Sequence, residues 1–279
     1  MNFSTLLSAE VLAGHLNNPD WRVFDCRHQL SDVDYGAQAY AEGHLPGAFF
    51  LHLDRDLSAP MNGRNGRHPL PDAQLLANKL GAAGVSRKTQ VVAYDDDGGM
   101  IAARLWWLLR WLGHERVALL DGGIRQWVRE GRALTSERPK PVPARFEVEC
   151  RDWVVNSDEV LASLDEHELC LVDARAADRF RGENETLDPV GGHIPGARNR
   201  FFRDNLDADG CFRPAPELRR EFLALLAGVD PAQSVMQCGS GVTACHNLLA
   251  MEIAGLHGAR LHAGSWSEWC ADPGRPVAR

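Results

Sequence analysis

Short hydrophobic runs alternate with longer amphipathic stretches along this chain. Residues 91–94 (VVAY) and 234–237 (SVMQ) are β-prone runs of the kind found in parallel strands that are covered on both faces. A loop follows each run, and then a helical stretch over residues 100–112 or 242–254 that ends just before a glycine, a common helix stop. Strand, crossover helix and strand in series predict an α/β fold in which parallel sheets are flanked by helices.

Three short segments occur twice, in the same order, in the two halves of the chain. The pairs are VFDCR at 23–27 and LVDAR at 171–175 (148 residues apart), GHLPGA at 43–48 and GHIPGA at 192–197 (149 apart), and GGIRQW at 122–127 and GSWSEW at 264–269 (142 apart). The similar offsets predict two copies of one domain with minor differences in loop length.

A proline-rich stretch separates the two copies. Residues 136–143 (SERPKPVP) contain three prolines that alternate with other residues, which predicts an extended, non-helical segment. We therefore expect a first domain over residues 1–135, a linker over 136–152 and a second domain over 153–279.

Composition and charge exclude several classes of protein. The chain has 279 residues, of which 44% are hydrophobic and 24% charged, as in globular proteins. A net charge of −8 argues against a nucleic-acid partner. We find no apolar run long enough to cross a bilayer and no secretory pattern at the N-terminus, so we expect a cytoplasmic protein without a membrane partner. The seven cysteines are irregularly spaced without a Cys-x-x-Cys pair, which argues against a zinc ribbon or thioredoxin-type site.

One cysteine stands where a predicted strand ends and a predicted helix begins. Cys238 opens the loop CGSGVT, and the carboxyl ends of parallel strands are where ligands bind in such sheets. Gly239 and Gly241 allow the loop to turn its N–H groups inward, which together with the helix N-terminus would stabilise a thiolate or persulfide anion. A reactive thiolate is the functional interpretation, and a buried structural cysteine is the alternative.

The corresponding loop of the first half has a different chemistry. Its residues 95–99 read DDDGG, with Asp95 in the place of Cys238. We interpret this loop as a solvated acidic turn that cannot bind an anion. The first half is then catalytically silent and supports the site in the second half.

The repeated GH-x-PG segments and the CGSGVT loop in the second half alone resemble the rhodanese superfamily of tandem-domain sulfurtransferases, and within it the branch that uses 3-mercaptopyruvate. The resemblance implies two rhodanese-like domains, each a parallel sheet flanked by helices. It also implies a reaction in which Cys238 takes sulfane sulfur from a small-molecule donor as a persulfide and passes it to a thiol, cyanide or thioredoxin. No cofactor and no metal is required.

The loop also bears on the alternatives. In the thiosulfate-using branch, basic residues follow the cysteine, whereas Gly239 and Ser240 are neutral here, which favours mercaptopyruvate over thiosulfate. A thiosulfate sulfurtransferase stays the alternative, and a non-enzymatic rhodanese-like binding module is a third. Related cysteine phosphatases need a Cys-x5-Arg loop, and the sixth residue after Cys238 is Ala244, which argues against that activity.

The resemblance also suggests catalytic partners for Cys238. Ser240 matches a serine that works with a histidine and an aspartate of the first domain. These would be His68 and Asp54, with Asp56 as a rival, and together they would form a proton relay.

Other residues are candidates for binding the donor. Arg179 matches an arginine that binds its carboxylate, and the loop residues Gly239, Gly241, Val242 and Thr243 complete the substrate-binding set. The family's second arginine has no counterpart in residues 183–188 (ENETLD), where Arg181 or Arg198 would have to substitute. Because they recur in both halves, Arg175, His44 and His193 are interpreted as structural.

Overall fold

The computed structural model describes residues 2–166 and 169–279, and the chain forms two compact units. The first unit consists of Met1–Ala59, Pro71–Asp152 and Ala208–Phe212, and the second of Pro60–Leu70, Trp153–Asp207 and Arg213–Arg279. The segment 60–70, which contains His68, thus clusters with the second unit, in contrast to the predicted boundary at residue 135.

The first unit is built on a parallel five-stranded sheet. Its strands are β1 (Leu6–Leu7), β2 (Trp21–Asp25), β3 (Ala48–Phe50), β4 (Gln90–Tyr94) and β5 (Val117–Leu120), in the order β1-β5-β4-β2-β3. Its helices are α1 (Ala9–Ala13), α2 (Tyr35–Glu42), α3 (Leu53–Asp56), α4 (Ala73–Ala82), α5 (Ala102–Trp111) and α6 (Gly123–Arg129). Every residue of β4 is buried, as expected for a central parallel strand.

The second unit repeats this arrangement. Its strands are β6 (Val154–Val155), β7 (Cys170–Asp173), β8 (Arg198–Asn199), β9 (Ser234–Gln237) and β10 (Arg260–His262), all parallel in the order β6-β10-β9-β7-β8. Its helices are α7 (Ser157–Glu166), α8 (Ala177–Phe180), α9 (Ala215–Leu226), α10 (Ala244–Ile253) and α11 (Ser265–Trp269), with short 3₁₀ turns at Phe202–Asn205 and Pro231–Gln233. The predicted α/β class with parallel sheets is confirmed.

Buried aromatic and aliphatic side chains fill the core of each unit. Trp127 packs with Leu12, Val92 and Leu120 in the first unit, and Trp266 and Trp269 pack with residues of the second. Burial of such side chains supplies most of the stabilising free energy, at about 25 cal/mol per Å² of apolar surface.

The repeated Asp-x-Arg and Gly-His segments make equivalent contacts in the two units. Arg27 binds the Asp25 carboxylate and the carbonyl of Gly43, and Arg175 does the same with Asp173 and Gly192. The rings of His44 and His193 stack on aromatic side chains 3.8 and 3.7 Å away and bond to backbone carbonyls. The structural interpretation of these residues is confirmed.

The structure describes every residue of the proline-rich stretch 136–143. The stretch forms neither helix nor strand, which confirms that it is non-helical. Its continuation packs on the first unit through backbone hydrogen bonds, from Ala144 N–H to Gly81 and from Glu149 N–H to Leu112. Among the described residues, no helix is long and apolar enough to cross a membrane.

Candidate active site

Cys238 follows directly on β9, the middle strand of the second sheet, which pairs with β7 and β10. The side chain is buried, with 2% of its surface exposed. Its backbone N–H donates to the hydroxyl of Ser265 at 3.1 Å, and its carbonyl accepts from the N–H of Trp266 at 3.0 Å. The strand and these two bonds fix the backbone of the cysteine at the carboxyl edge of the sheet.

Two backbone N–H groups of the loop point at the sulfur. Those of Ser240 and Gly241 donate to Sγ of Cys238 at 3.5 and 3.1 Å. Gly241 has a φ of +78°, and a Cβ atom there would lie 2.3 Å from the carbonyl oxygen of Ala263, so the turn requires glycine. Val242 and Thr243 lead from this turn into α10. Donors that converge on one sulfur stabilise a thiolate or a persulfide anion.

The hydroxyl of Ser240 meets an imidazole. Nδ1 of His68 lies 2.7 Å from Oγ of Ser240, and both side chains are buried, with 6% and 7% exposed. The hydrogen bond joins two of the predicted relay residues within the second unit. A buried Ser–His pair can move a proton beside the nucleophile.

The two rival aspartates lie on α3 of the first unit. Asp56 caps its own helix by accepting the N–H of His52 at 2.8 Å, and it also binds Lys79. The carboxylate of Asp54 is 38% exposed and lies 3.9 Å from Nδ1 of His52. Asp56 therefore has a structural task, and Asp54 stays the predicted third member of the relay.

Histidines beside Asp54 form the one group whose geometry resembles a metal site in the part of the chain that the structure describes. Donor atoms of His28, His52 and Asp54 lie within 4.8 Å of one another. However, Nδ1 of His52 accepts the N–H of Asp54, and its Nε2 lies 2.9 Å from the carbonyl of Val33. Both ring nitrogens of His52 are thus engaged in hydrogen bonds, so this residue has no lone pair to offer a metal.

Arg179 lies beside the loop, as predicted, but its guanidinium already binds a carboxylate. Its Nε and Nη2 donate to Glu185 at 2.7 to 3.1 Å, and Nη2 lies 3.5 Å from Asp188. Burial acts to raise the pKa of Glu185, but the bonds from Arg179 and from backbone N–H groups hold it below its usual value. Residues 183–188, which lack an arginine, thus supply the acidic partners of Arg179.

Arg67 is a functional candidate that the sequence analysis missed. A Cβ atom built on Gly239 would lie 2.7 Å from Nη2 of Arg67 and 3.8 Å from both Nη atoms of Arg179. In the sequence, the indication of a role for Arg67 is that it directly precedes His68. The sequence analysis suggested Arg181 or Arg198 in place of the family's second arginine, but both have other partners. Arg181 pairs with Glu183 at the surface, and Arg198 donates to the carbonyl of Leu225.

Asp188 holds Arg67 in this position. Its carboxylate binds Nη1 of Arg67, and its side chain is only 3% exposed. Burial raises the pKa of Asp188 above its usual value, while the charges of Arg67 and Arg179 act against this rise. The site therefore contains guanidinium groups that acidic side chains hold close to the nucleophile.

The loop of the first unit corrects one prediction. Asp95 is buried rather than solvated, and its carboxylate accepts four backbone N–H bonds of 2.8 to 2.9 Å, from Asp97, Gly99, Ile101 and Ala102. Burial raises the pKa of Asp95, and the four hydrogen bonds oppose this rise. The interpretation as a solvated turn without anion-binding capacity was wrong, because the loop does turn its N–H groups inward and Asp95 fills the space.

Comparison with known proteins agrees with this geometry. The protein-family model "Rhodanese-like domain" matches residues 8–130 and 156–272. The chain is 51% identical, over 100% of its length and 99% of the relative's, to a probable 3-mercaptopyruvate sulfurtransferase of Pseudomonas aeruginosa. It is 36% identical to the thiosulfate sulfurtransferase of Cricetulus griseus, over 95% of this chain and 90% of the relative.

A solved structure gives the same result. The crystal structure of a 3-mercaptopyruvate sulfotransferase from Escherichia coli superposes with a TM-score of 0.82 at 31% identity, over 95% of this chain and 99% of that one. Two domain matches, one in each half, account for the internal repeat. This chain belongs to the rhodanese family, as a member with two tandem domains.

Proposed function

We propose that the protein is a sulfurtransferase that moves sulfane sulfur from 3-mercaptopyruvate to an acceptor through a persulfide on Cys238. The observation that carries this proposal is the sulfur of Cys238 at the carboxyl end of the middle strand, facing the N–H groups of Ser240 and Gly241. The relatives that carry the name 3-mercaptopyruvate sulfurtransferase support the choice of donor.

The first half-reaction transfers sulfur to the enzyme. The Cys238 thiolate attacks the sulfur of mercaptopyruvate, an S–S bond forms, and the C–S bond breaks with its electron pair going to carbon. The resulting pyruvate enolate takes up a proton, for which the Ser240 hydroxyl and the His68 imidazole are the proposed source. Arg179 would bind the donor's carboxylate.

The second half-reaction returns the enzyme to its thiolate. An acceptor nucleophile attacks the outer sulfur of the persulfide, the S–S bond breaks, and its electrons return to Cys238. We propose a thiol, thioredoxin or cyanide as acceptor and the cytoplasm as location. No disulfide joins any of the cysteines that the structure describes, in keeping with a reducing compartment.

Thiosulfate is the second candidate donor. The guanidinium groups of Arg67 and Arg179 next to Gly239 place positive charge near the nucleophile, where a doubly charged donor would bind. The thiosulfate sulfurtransferase among the relatives supports this alternative.

Intact mass spectrometry tests the persulfide directly. Treatment with mercaptopyruvate is expected to add one sulfur atom per chain, and Cys238→Ser is expected to abolish the adduct. Cys150→Ser, which replaces an exposed cysteine, is the matched control and should keep it. An adduct that persists in Cys238→Ser, or that disappears in the control, would show that another thiol carries the sulfur.

Replacement of Ser240 by alanine tests the relay. We expect kcat with mercaptopyruvate to fall roughly 100-fold, because the enolate loses its proton source. Thiosulfate is the internal control, because its leaving group, sulfite, needs no protonation at carbon. The turnover of Ser240→Ala with thiosulfate should therefore fall much less. Equal losses with both donors would remove the relay from the mechanism.

A further inference from the structure

The segment that carries His68 has no secondary structure of its own to hold it in place. The structure describes every residue of segment 60–70, and these residues form neither helix nor strand. The tip of the segment, residues 61–64, is exposed, whereas the side chain of His68 is buried. A single hydrogen bond to Ser240 would not hold such a segment still, because one bond contributes little net free energy. Other contacts of the segment must therefore fix the imidazole.

Ser267 binds the segment and the catalytic loop at the same time. Its backbone N–H donates to the carbonyl of Gly239 at 2.9 Å, and its hydroxyl accepts the N–H of Arg67 at 3.0 Å. Gly239 directly precedes Ser240, and Arg67 directly precedes His68. Ser267 thus bridges the two residues that stand next to the Ser240–His68 pair, and the bridge sets the spacing between loop and segment.

Gly66 brings the segment close enough for this bridge. Its φ is +79°, and a Cβ atom there would lie 2.9 Å from the carbonyl oxygen of Gly264, the residue before α11, and 3.2 Å from Oγ of Ser267. A backbone oxygen cannot turn aside as a flexible side chain can, so a larger residue 66 would push the segment away from α11. Gly63 also has a positive φ, +84°, but a Cβ atom there would meet nothing within 4 Å.

We propose that Ser267 and Gly66 are positioning residues of the proton relay. They hold segment 60–70 on α11 and thereby keep the His68 imidazole against the Ser240 hydroxyl. Neither residue takes part in the proposed half-reactions, so both act through His68. The assignment deepens the proposed function and rests on it for the role of the relay in protonating the enolate.

Kinetics with two donors test Gly66 against a matched control. Gly66→Ala should lower kcat with mercaptopyruvate roughly 10-fold to 100-fold, because a shift of about 1 Å in a catalytic group can cost this much. Its kcat with thiosulfate should stay within about threefold of the wild type, since sulfite needs no protonation at carbon. Gly63→Ala has the same unfavourable φ without the clash, so its kcat should stay within about twofold with both donors.

Substitutions at Ser267 test the hydroxyl itself. Ser267→Ala removes the acceptor for the N–H of Arg67 and should lower kcat with mercaptopyruvate roughly 10-fold. Ser267→Thr keeps the hydroxyl and should retain most of the activity. When His68 is already alanine, Ser267→Ala should add less than about twofold, because its effect passes through the imidazole.

Chemical modification of His68 tests its position without any sulfur donor. Diethyl pyrocarbonate reacts with accessible imidazoles, and mass spectrometry of the peptides gives the rate at each histidine. We expect the rate at His68, relative to that at the exposed His257, to rise roughly 10-fold when the segment is displaced. Both Gly66→Ala and Ser267→Ala should show this rise, and Gly63→Ala should not.

Several results would overturn the assignment. They are an unchanged modification rate at His68 in both variants, equal losses of kcat with both donors in Gly66→Ala, or an effect of Gly63→Ala as large as that of Gly66→Ala. Should Gly66→Ala fail to fold, Ser267→Ala carries the same test. Absence of sulfur transfer by the wild type, or equal losses with both donors in Ser240→Ala, would instead refute the proposed function or its relay. The modification rate would then still decide whether Ser267 and Gly66 position His68.

Discussion

Ser265 has a left-handed backbone conformation at the position that Gly123 occupies in the first half. Their φ angles are +53° and +57°, a region that costs a residue with a Cβ about 1 kcal/mol. The hydroxyl of Ser265 accepts the N–H of Cys238 and donates to the carbonyl of His262. These bonds offset the backbone strain, which indicates that serine is present to fix the nucleophile.

Two substitutions separate the strain from the hydrogen bonds. Ser265→Gly and Ser265→Ala both remove the hydroxyl, but only alanine keeps the cost of the positive φ. We expect Ser265→Ala to have a free energy of unfolding about 1 kcal/mol lower than that of Ser265→Gly, and both to be less stable than the wild type. Urea unfolding measures this, and equal stability of the two variants would contradict the assigned strain.

Sequence reasoning at the residue scale predicted Cys238 from the loop pattern and the internal repeat, and Ser240, His68 and Arg179 from the resemblance to a family. It did not reach Arg67, because no motif marks a side chain whose role depends on a turn at Gly66 and on acidic partners far along the chain. The same holds for Ser265, whose φ cannot be inferred from its residue type. The roles of Arg67 and Ser265 depend on contacts between segments that are distant in the sequence, and local sequence patterns do not reveal such contacts.

The loop that follows the middle strand carries different chemistry in the two halves but has a similar arrangement of backbone N–H groups. In both halves its N–H groups turn inward, toward Sγ of Cys238 in one and toward the carboxylate of Asp95 in the other. The carbonyls of these two residues also accept equivalent N–H groups, from Trp266 and Ile124. Asp95 acts as a built-in anion that stabilises the loop, which explains how a loop without the cysteine keeps its fold.

Replacement of this carboxylate should therefore destabilise the first unit. Asp95→Asn turns an amide NH₂ toward backbone donors and leaves two buried N–H groups unsatisfied, at a cost of about 2–4 kcal/mol. Asp20→Asn, at an exposed aspartate, should change the free energy of unfolding by no more than about 0.5 kcal/mol. A stability of Asp95→Asn equal to that of the control would show that the four hydrogen bonds contribute little.

The sequence predicted the positions of strands and helices better than it predicted the burial of Asp95 inside its loop. The run at 234–237 coincides with β9, and the run at 91–94 lies within β4. The predicted helices are longer than α5 and α10 by one or two residues at each end, and Gly113 and Gly255 follow them with positive φ. Hydrophobic runs and glycines are local signals, whereas the burial of Asp95 depends on how the whole loop closes around it.

At the scale of the whole molecule, the repeat predicted two copies of one fold, and the two sheets have the same strand order. It could not predict that residues 60–70 cluster with the second unit and residues 208–212 with the first. Both segments are short and contain neither helix nor strand among the described residues. The hydrogen bond between His68 and Ser240 is one contact that joins residues 60–70 to the second unit, and the periodicity of the sequence contains no sign of it.

Each unit also contains a buried histidine that makes the whole chain sensitive to acid. Burial lowers the pKa of His114 in the first unit to about 4 and that of His262 in the second to about 3. The unfolded chain binds these protons below about pH 6.5, whereas the folded chain does not. Stability is therefore fully present above pH 6.5 and falls as the pH drops toward the folded pKa values.

His262 allows the sharper test, because its hydrogen-bond partner can be changed separately. Between pH 7 and pH 5 it should account for about 2 kcal/mol of lost unfolding free energy, and His262→Gln should remove this part of the loss. Ser157→Ala removes the 3.0 Å bond to Nε2 of His262 but keeps the titrating ring, so it should lower stability at both pH values and retain the wild-type pH dependence. Urea unfolding at the two pH values measures both effects. If His262→Gln lost as much stability at pH 5 as the wild type, the acid sensitivity of the second unit would have to come from other groups.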